Sequence, residues 1–200
     1  MAIWNVWYED WQMECCGTPF SVGDEVEWPL VLRGGADGED WELYVSVVEG
    51  DVEAEPFGEP EESEESEELE GLEDLDDDDP DDDGRRPVLL RTDDGLAAGW
   101  ACPAPPPARA RAVGLLTVER HGGEWVRTRG RVRSVHVVSH VYEETATGSR
   151  MYERVPGERS LRAVETCPKW FTGDDPTWRK DGVLVALEVL GDGAARQQGQ

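Results

Sequence analysis

Between Glu49 and Asp83 the chain carries 21 acidic residues and no Lys or Arg. A run of this kind does not enter a compact core. Repulsion among its carboxylates keeps it extended and solvated, and ordering its backbone costs about 1–2 kcal/mol per residue. From Glu59 to Asp83, Leu69, Leu72 and Leu75 are the aliphatic side chains present, enough for a transient helical turn and too few for a core. Residues 56–86 are therefore expected to be a disordered acidic linker. It separates an N-terminal β segment, 1–55, from a C-terminal β segment, 87–191, and the two complete one domain before a flexible tail, 192–200. Outside 49–83 the chain holds 24 acids against 19 bases, net -5, so the formal charge of -26 belongs to one segment.

Several classes are excluded by what the remainder lacks. No run approaches the ~18 apolar residues of a membrane-spanning helix, and the longest charge-poor stretch, Gly95 to Ala108, is broken by Pro103, Pro105, Pro106 and Pro107. Glu9 and Asp10 come too early for a secretory leader. Four cysteines in 200 residues do not make a disulfide scaffold, so reduced thiols in a cytoplasmic protein are expected. Arg outnumbers Lys, with only Lys169 and Lys180 present, which points to a GC-rich genome.

The chain reads as mainly β. Glu25 to Leu30 alternates polar and apolar after the Val22-Gly23-Asp24 turn, and Trp41 to Val48 repeats the character. Trp4, Trp7 and Trp11 stand at helical spacing, but the opening is short and aromatic, and strand is the reading favoured. Arg131 to Tyr142 is the clearest strand, long and Val-rich, with Val132, Ser134, His136, Val138, His140 and Tyr142 on one face. Ser160 to Thr166 and Gly182 to Leu190 supply further strands, with Trp170, Phe171 and Trp178 in the loop between. Ala108 to Glu119 is the best place for a short helix. The expected fold is a small barrel, SH3-like or OB-like, interrupted by the acidic insertion.

Two blocks carry a resemblance. One runs from Trp11-Gln12-Met13-Glu14-Cys15-Cys16-Gly17-Thr18-Pro19-Phe20 to Val22-Gly23-Asp24-Glu25-Val26-Glu27-Trp28. The other comprises Gly114-Leu115-Leu116, His121-Gly122-Gly123 and Thr128-Arg129-Gly130-Arg131-Val132-Arg133-Ser134-Val135. Together they resemble an uncharacterised domain-of-unknown-function family of actinobacterial, Streptomyces-type chains. The resemblance implies no activity. It also implies a second His just before the His-Gly-Gly step, where this chain has Arg120, which removes one imidazole from any metal reading.

Candidate chemistry is sparse. Adjacent Cys15 and Cys16 point apart if both are extended, and the chain has no paired C-x-x-C knuckles, so buried thiols beside a tight Gly17 turn outrank a zinc site. Cys102, Cys167 and His121 have no spacing that requires them to meet. His136 and His140 are about 13 Å apart along a strand, too far to share an ion. No nucleophile elbow or phosphate loop is present, and no cofactor is expected. A basic stretch is more informative: Arg109 to Arg133 holds seven Arg against Glu119 and Glu124, net +5. Arg127, Arg129, Arg131 and Arg133 with Trp125 form the candidate interaction surface, since guanidinium and aromatic groups together suit single-stranded nucleic acid. The bland reading is that these arginines solvate a strand or pair with the chain's own acids, and the overall charge repels nucleic acid.

A non-catalytic module binding an unidentified protein partner is thus the leading expectation. Single-stranded nucleic-acid binding through the Arg-rich strand comes second. An enzyme or metal protein using Cys15, Cys16 and His121 is third.

Overall fold

The computed structural model describes residues 2–34, 44–53, 85–121, 126–171, 173, 175 and 177–191. Strands dominate these residues: β1 (Ile3–Glu9), β2 (Glu25–Arg33), β3 (Ser46–Glu53), β4 (Arg85–Arg91), β5 (Ala97–Pro103), β6 (Arg109–Val118), β7 (Arg127–Glu144), β8 (Tyr152–Val164) and β9 (Trp178–Val189). One helix, α1 (Asp10–Cys16), stands between β1 and β2. Most of the stretch 56–86 lies outside the described residues, although Arg85 and Arg86 already belong to β4. The tail, 192–200, lies outside them too.

All nine strands share one sheet, in the order β2-β5-β4-β3-β6-β1-β9-β7-β8. The sheet closes on itself because β2 also pairs with β6 and β7. Leu30 to Arg33 of β2 lie antiparallel to Val118 to Leu115, while Glu25 to Pro29 lie antiparallel to Arg131 to Arg127. Two circuits of hydrogen-bonded strands share the β2–β6 pairing. One runs β1-β6-β2-β7-β9 and the other β2-β5-β4-β3-β6. Segments before and after the acidic stretch are therefore interleaved in one sheet.

β6 is the hinge between the circuits. Its first half, Arg109 to Gly114, pairs with β3, and its second half turns to β2 and β1. The turn needs Gly114, since a Cβ there would stand 2.3 Å from the Arg33 carbonyl oxygen. The expected helix over Ala108 to Glu119 is thus a strand. Leu115, Leu116, Thr117 and Val118 are buried on both faces of the sheet, and a doubly buried strand shows a continuous apolar run that periodicity alone does not separate from a helix.

The opening divides in two. Trp4 and Trp7 lie on β1 as expected, but at Asp10 the chain turns into α1, so Trp11, Cys15 and Cys16 are helical. Trp178 opens β9 instead of sitting in a loop. The strand expected over Trp41 to Val48 begins only at Ser46, and residues 41–43 lie outside the described residues. β3 takes in Glu49, Asp51 and Glu53, each facing an arginine: Arg109 lies 3.8 Å from Glu49 and 3.2 Å from Asp51, and Arg91 lies 3.1 Å from Glu53.

β7 runs 18 residues and its register against β9 shifts twice, between Val132 and Ser134 and between Val138 and Ser139. The first slip makes Arg133 an extra residue of β7 and swaps its faces, because a strand's side chains alternate with period two, while the second inserts Asp181 in β9. Hence Val132, then Val135 and Val137 enter the main core, Val138 packs with Trp7, Leu115 and Leu184 in a second cluster, and the simple alternation expected over Arg131 to Tyr142 does not hold. The core joins Val6, Tyr8, Met13, Trp28, Leu116 and Leu187, among others, into one apolar cluster.

Candidate functional site

Arg127, Arg129 and Arg131 alternate with the buried Thr128, Gly130 and Val132, so the basic side chains project from the outer face of β7. Arg129, Arg131 and Arg133 do not stand as free cations. Arg129 lies 2.5 Å and Arg131 2.7 Å from the two carboxylate oxygens of Glu25 on β2, and Arg133 pairs with Glu188 on β9. The two guanidiniums, Arg131 first, hold the Glu25 carboxyl below the usual glutamate range. These counter-charges come from the neighbouring strands β2 and β9. Trp125, the aromatic member of the expected surface, lies outside the described residues.

A second assembly forms around α1. The helix is short, and a local cap and two tertiary partners brace it. The Gly17 N–H donates to the carbonyls of Gln12 and Met13. The Lys169 ammonium donates to the Met13 and Gly17 carbonyls at 2.7 and 3.0 Å, placing a cation at the negative end of the helix dipole. The Phe171 N–H donates to the Glu14 carboxylate at 2.7 Å. This bracing holds two tryptophans out toward water, Trp11 on the helix at 49 % exposure and Trp170 on the loop at 63 %.

The same helix brings together residues that the sequence leaves far apart. Gln12 is fully buried; its amide accepts from the Arg120 N–H at 3.0 Å and donates to Glu9 at 2.9 Å. That clamp holds the segment after β6 against α1. The His121 N–H donates to Glu119 at 3.0 Å, and its imidazole stacks on Trp11 with ring centres 4.8 Å apart. His121 Nε2 then stands 3.7 Å from Cys15 Sγ and 3.6 Å from Cys16 Sγ. The three donor atoms all lie within 4.8 Å of one another. Burial, then the neighbouring Cys15 thiol, push the Cys16 thiol up, and Arg120 opposes them.

Helical backbone is what overturns the expectation that Cys15 and Cys16 diverge. The other thiols are elsewhere: Cys102 and Cys167 are buried, and burial pushes the Cys167 thiol up to about 12. His136 does not join His140, which is fully buried on β7 with Nδ1 2.6 Å from Asp181. That carboxylate also accepts from Tyr142 and Arg154, at 3.2 and 3.1 Å. Sequence reasoning missed Asp181, because only the register slip in β9 directs it to His140.

A shallow cleft of about 340 Å³ beside β2 is lined by Phe20, Asp24, Glu25, Glu27, Trp28 and Arg120, among others. Two of its carboxylates are already engaged, Glu25 by the arginines of β7 and Asp24 by the Ser21 N–H. No described helix is long and apolar enough to cross a membrane.

Neither a curated protein nor a solved structure matches the chain. A family model does match, over residues 2–189 and hence over both arms of the closed sheet and α1. The chain belongs to that family, DUF6578, a family of unknown function.

Proposed function

We propose that the protein is a non-catalytic protein-interaction module whose contact surface is the braced end of the molecule formed by α1 and the Lys169–Phe171 loop. The observation that carries this reading is the pair of exposed tryptophans on an otherwise immobilised frame, Trp11 at 49 % and Trp170 at 63 % exposure. Tryptophan is the residue most enriched at the energetic centre of protein interfaces, and a rigid frame lowers the entropy lost on docking. Trp170 also has the Lys169 ammonium 5.6 Å from its ring centre.

In this reading the circuit β1-β6-β2-β7-β9 is a small barrel of the SH3-like or OB-like type that carries the surface. The four free thiols support a reducing, cytoplasmic setting, and the preference for Arg over Lys supports an actinobacterial source. The nucleic-acid reading loses support, because Arg129, Arg131 and Arg133 already have carboxylate partners.

The test is affinity capture from native cytoplasm with the full chain, Trp170→Ala, Trp11→Ala and the pair Arg129→Ala/Arg131→Ala. A partner that binds the full chain is lost from the Trp170 variant, with about 30-fold weaker affinity, and is kept by the arginine pair. Capture insensitive to both tryptophans would contradict the proposal. Retention on a single-stranded oligonucleotide column with a steep salt dependence would favour the nucleic-acid reading instead.

A further inference from the structure

We propose that Cys15, Cys16 and His121 form a zinc site with three protein ligands and a fourth coordination position open to solvent. This inference shares α1 and Trp11 with the proposed contact surface but rests on donor geometry. Tetrahedral zinc, with Zn–S of about 2.3 Å and Zn–N of about 2.0–2.1 Å, sets its sulfur and nitrogen ligands about 3.6 Å apart. The separations of Nε2 from the two sulfurs, 3.7 and 3.6 Å, match that edge. All three donors lie within 4.8 Å of one another, within reach of a common ion.

The donors are held by contacts that do not involve a metal. Buried Gln12 fixes the Arg120 backbone, Glu119 fixes the His121 backbone, and Trp11 fixes the plane of the imidazole. Lys169 and the Gly17 N–H fix the helix end that carries both cysteines. Such supporting contacts orient metal ligands, and losing them ordinarily weakens binding 10–100-fold. Nε2 faces the sulfurs, so the ring binds as the neutral tautomer with its proton on Nδ1.

The donor chemistry selects the ion. Two thiolates and an imidazole suit a borderline-soft ion such as Zn²⁺ and do not suit Mg²⁺ or Ca²⁺, which take oxygen ligands. Binding replaces two thiol protons with one Zn²⁺: two Zn–S bonds and one Zn–N bond form, two S–H bonds break, and two protons pass to solvent. The resulting bis-thiolate centre has no net charge. Cys15 and Cys16 are exposed, so the fourth position is left to water or to a donor from a partner.

The experiment uses the full chain, reduced and stripped with a chelator. Zn²⁺ is titrated in competition with a chromophoric chelator, and Co²⁺ is added separately as a spectroscopic probe. The expected result is one ion per chain, with a thiolate-to-cobalt charge-transfer band and the intense visible bands of tetrahedral cobalt. Cys16→Ser and His121→Ala each weaken Zn²⁺ binding by at least about 100-fold, and Cys102→Ala leaves it unchanged. The cobalt spectrum of the unaltered chain decides the matter if a variant fails to fold. Zn²⁺ affinity equal in the unaltered chain and a folded Cys16→Ser variant would overturn the proposal. So would an octahedral cobalt spectrum without charge transfer, or uptake of Cu⁺ but not Zn²⁺.

Discussion

His140 Nδ1 lies 2.6 Å from a carboxylate oxygen of Asp181, and Asp181 is the residue that β9 inserts where its register against β7 slips. The slip, between Val138–Gly182 and Ser139–Lys180, leaves Asp181 without a cross-strand partner. Its side chain is thereby turned toward the fully buried imidazole, and Tyr142 and Arg154 donate to the same carboxylate. A bulge here serves to aim one acid at three donors, a use of irregularity common in sheets.

Asp181→Ala should therefore cost about 2–4 kcal/mol, because it strips a buried network of its shared acceptor. Urea denaturation measures it. A loss below about 0.5 kcal/mol, the size expected for an exposed acid such as Glu153, would show that the network contributes nothing.

The ring closure makes a second, sharper demand. Leu116 is fully buried on β6 and pairs with both Val6 and Leu32, so Leu116→Ala should cost about 2–5 kcal/mol. Gly114→Ala, which drives a Cβ into the Arg33 carbonyl, should cost about 1–3 kcal/mol or more. Leu161→Ala on half-exposed β8 should cost under about 1 kcal/mol. Equal effects at Leu116 and Leu161 would be incompatible with the β1–β6–β2 junction.

The pairing of Glu25 with Arg131 and Arg129 gives a signed pH dependence. A carboxyl held below its usual range contributes stability above the ordinary glutamate value of 4.5, and that contribution fades as pH falls through the depressed value. Melting temperatures of the unaltered chain and Glu25→Gln should differ at pH 7 and converge toward pH 2. A constant gap across that range would rule out the charge pairing as its origin.

Thiol reactivity follows burial. In the zinc-free native protein, Ellman's reagent should modify Cys15 and Cys16 quickly and reach Cys102 and Cys167 only after unfolding. The Cys167 thiol, raised from 9.0 to about 12, contributes stability that is complete below pH 9 and lost as pH climbs toward 12. Cys167→Ala should flatten that alkaline decline. Rapid modification of all four thiols in the native state would contradict the burial.

The strands were legible in part. Glu25 to Leu30 lies within β2 and Gly182 to Leu190 overlaps most of β9, which starts earlier, at Trp178, whereas β4 and β5 gave no pattern that was read as a strand. β6 was misread because both its faces are covered. Helix α1 spans only seven residues, too few to display a period, although Asp10 in its first turn and Gly17 just past its end are ordinary helix boundary signals. That missed helix is why the sequence offered no geometry to support the third reading, in which Cys15, Cys16 and His121 act together. His121 is 105 residues from Cys16, and only the Gln12 clamp and the path of β6 bring them together. The arginines of β7 were visible as a basic stretch, but their partners, Glu25 and Glu188, are set by register, which composition does not carry.

The donor set at Cys15, Cys16 and His121 is read most directly by X-ray absorption at the zinc K-edge of the full chain loaded with one equivalent of Zn²⁺. The predicted first shell has two sulfur scatterers at about 2.3 Å and two nitrogen or oxygen scatterers at about 2.0–2.1 Å, one from His121 and one from solvent. A shell of nitrogen and oxygen alone, or one with four sulfurs, would contradict the site.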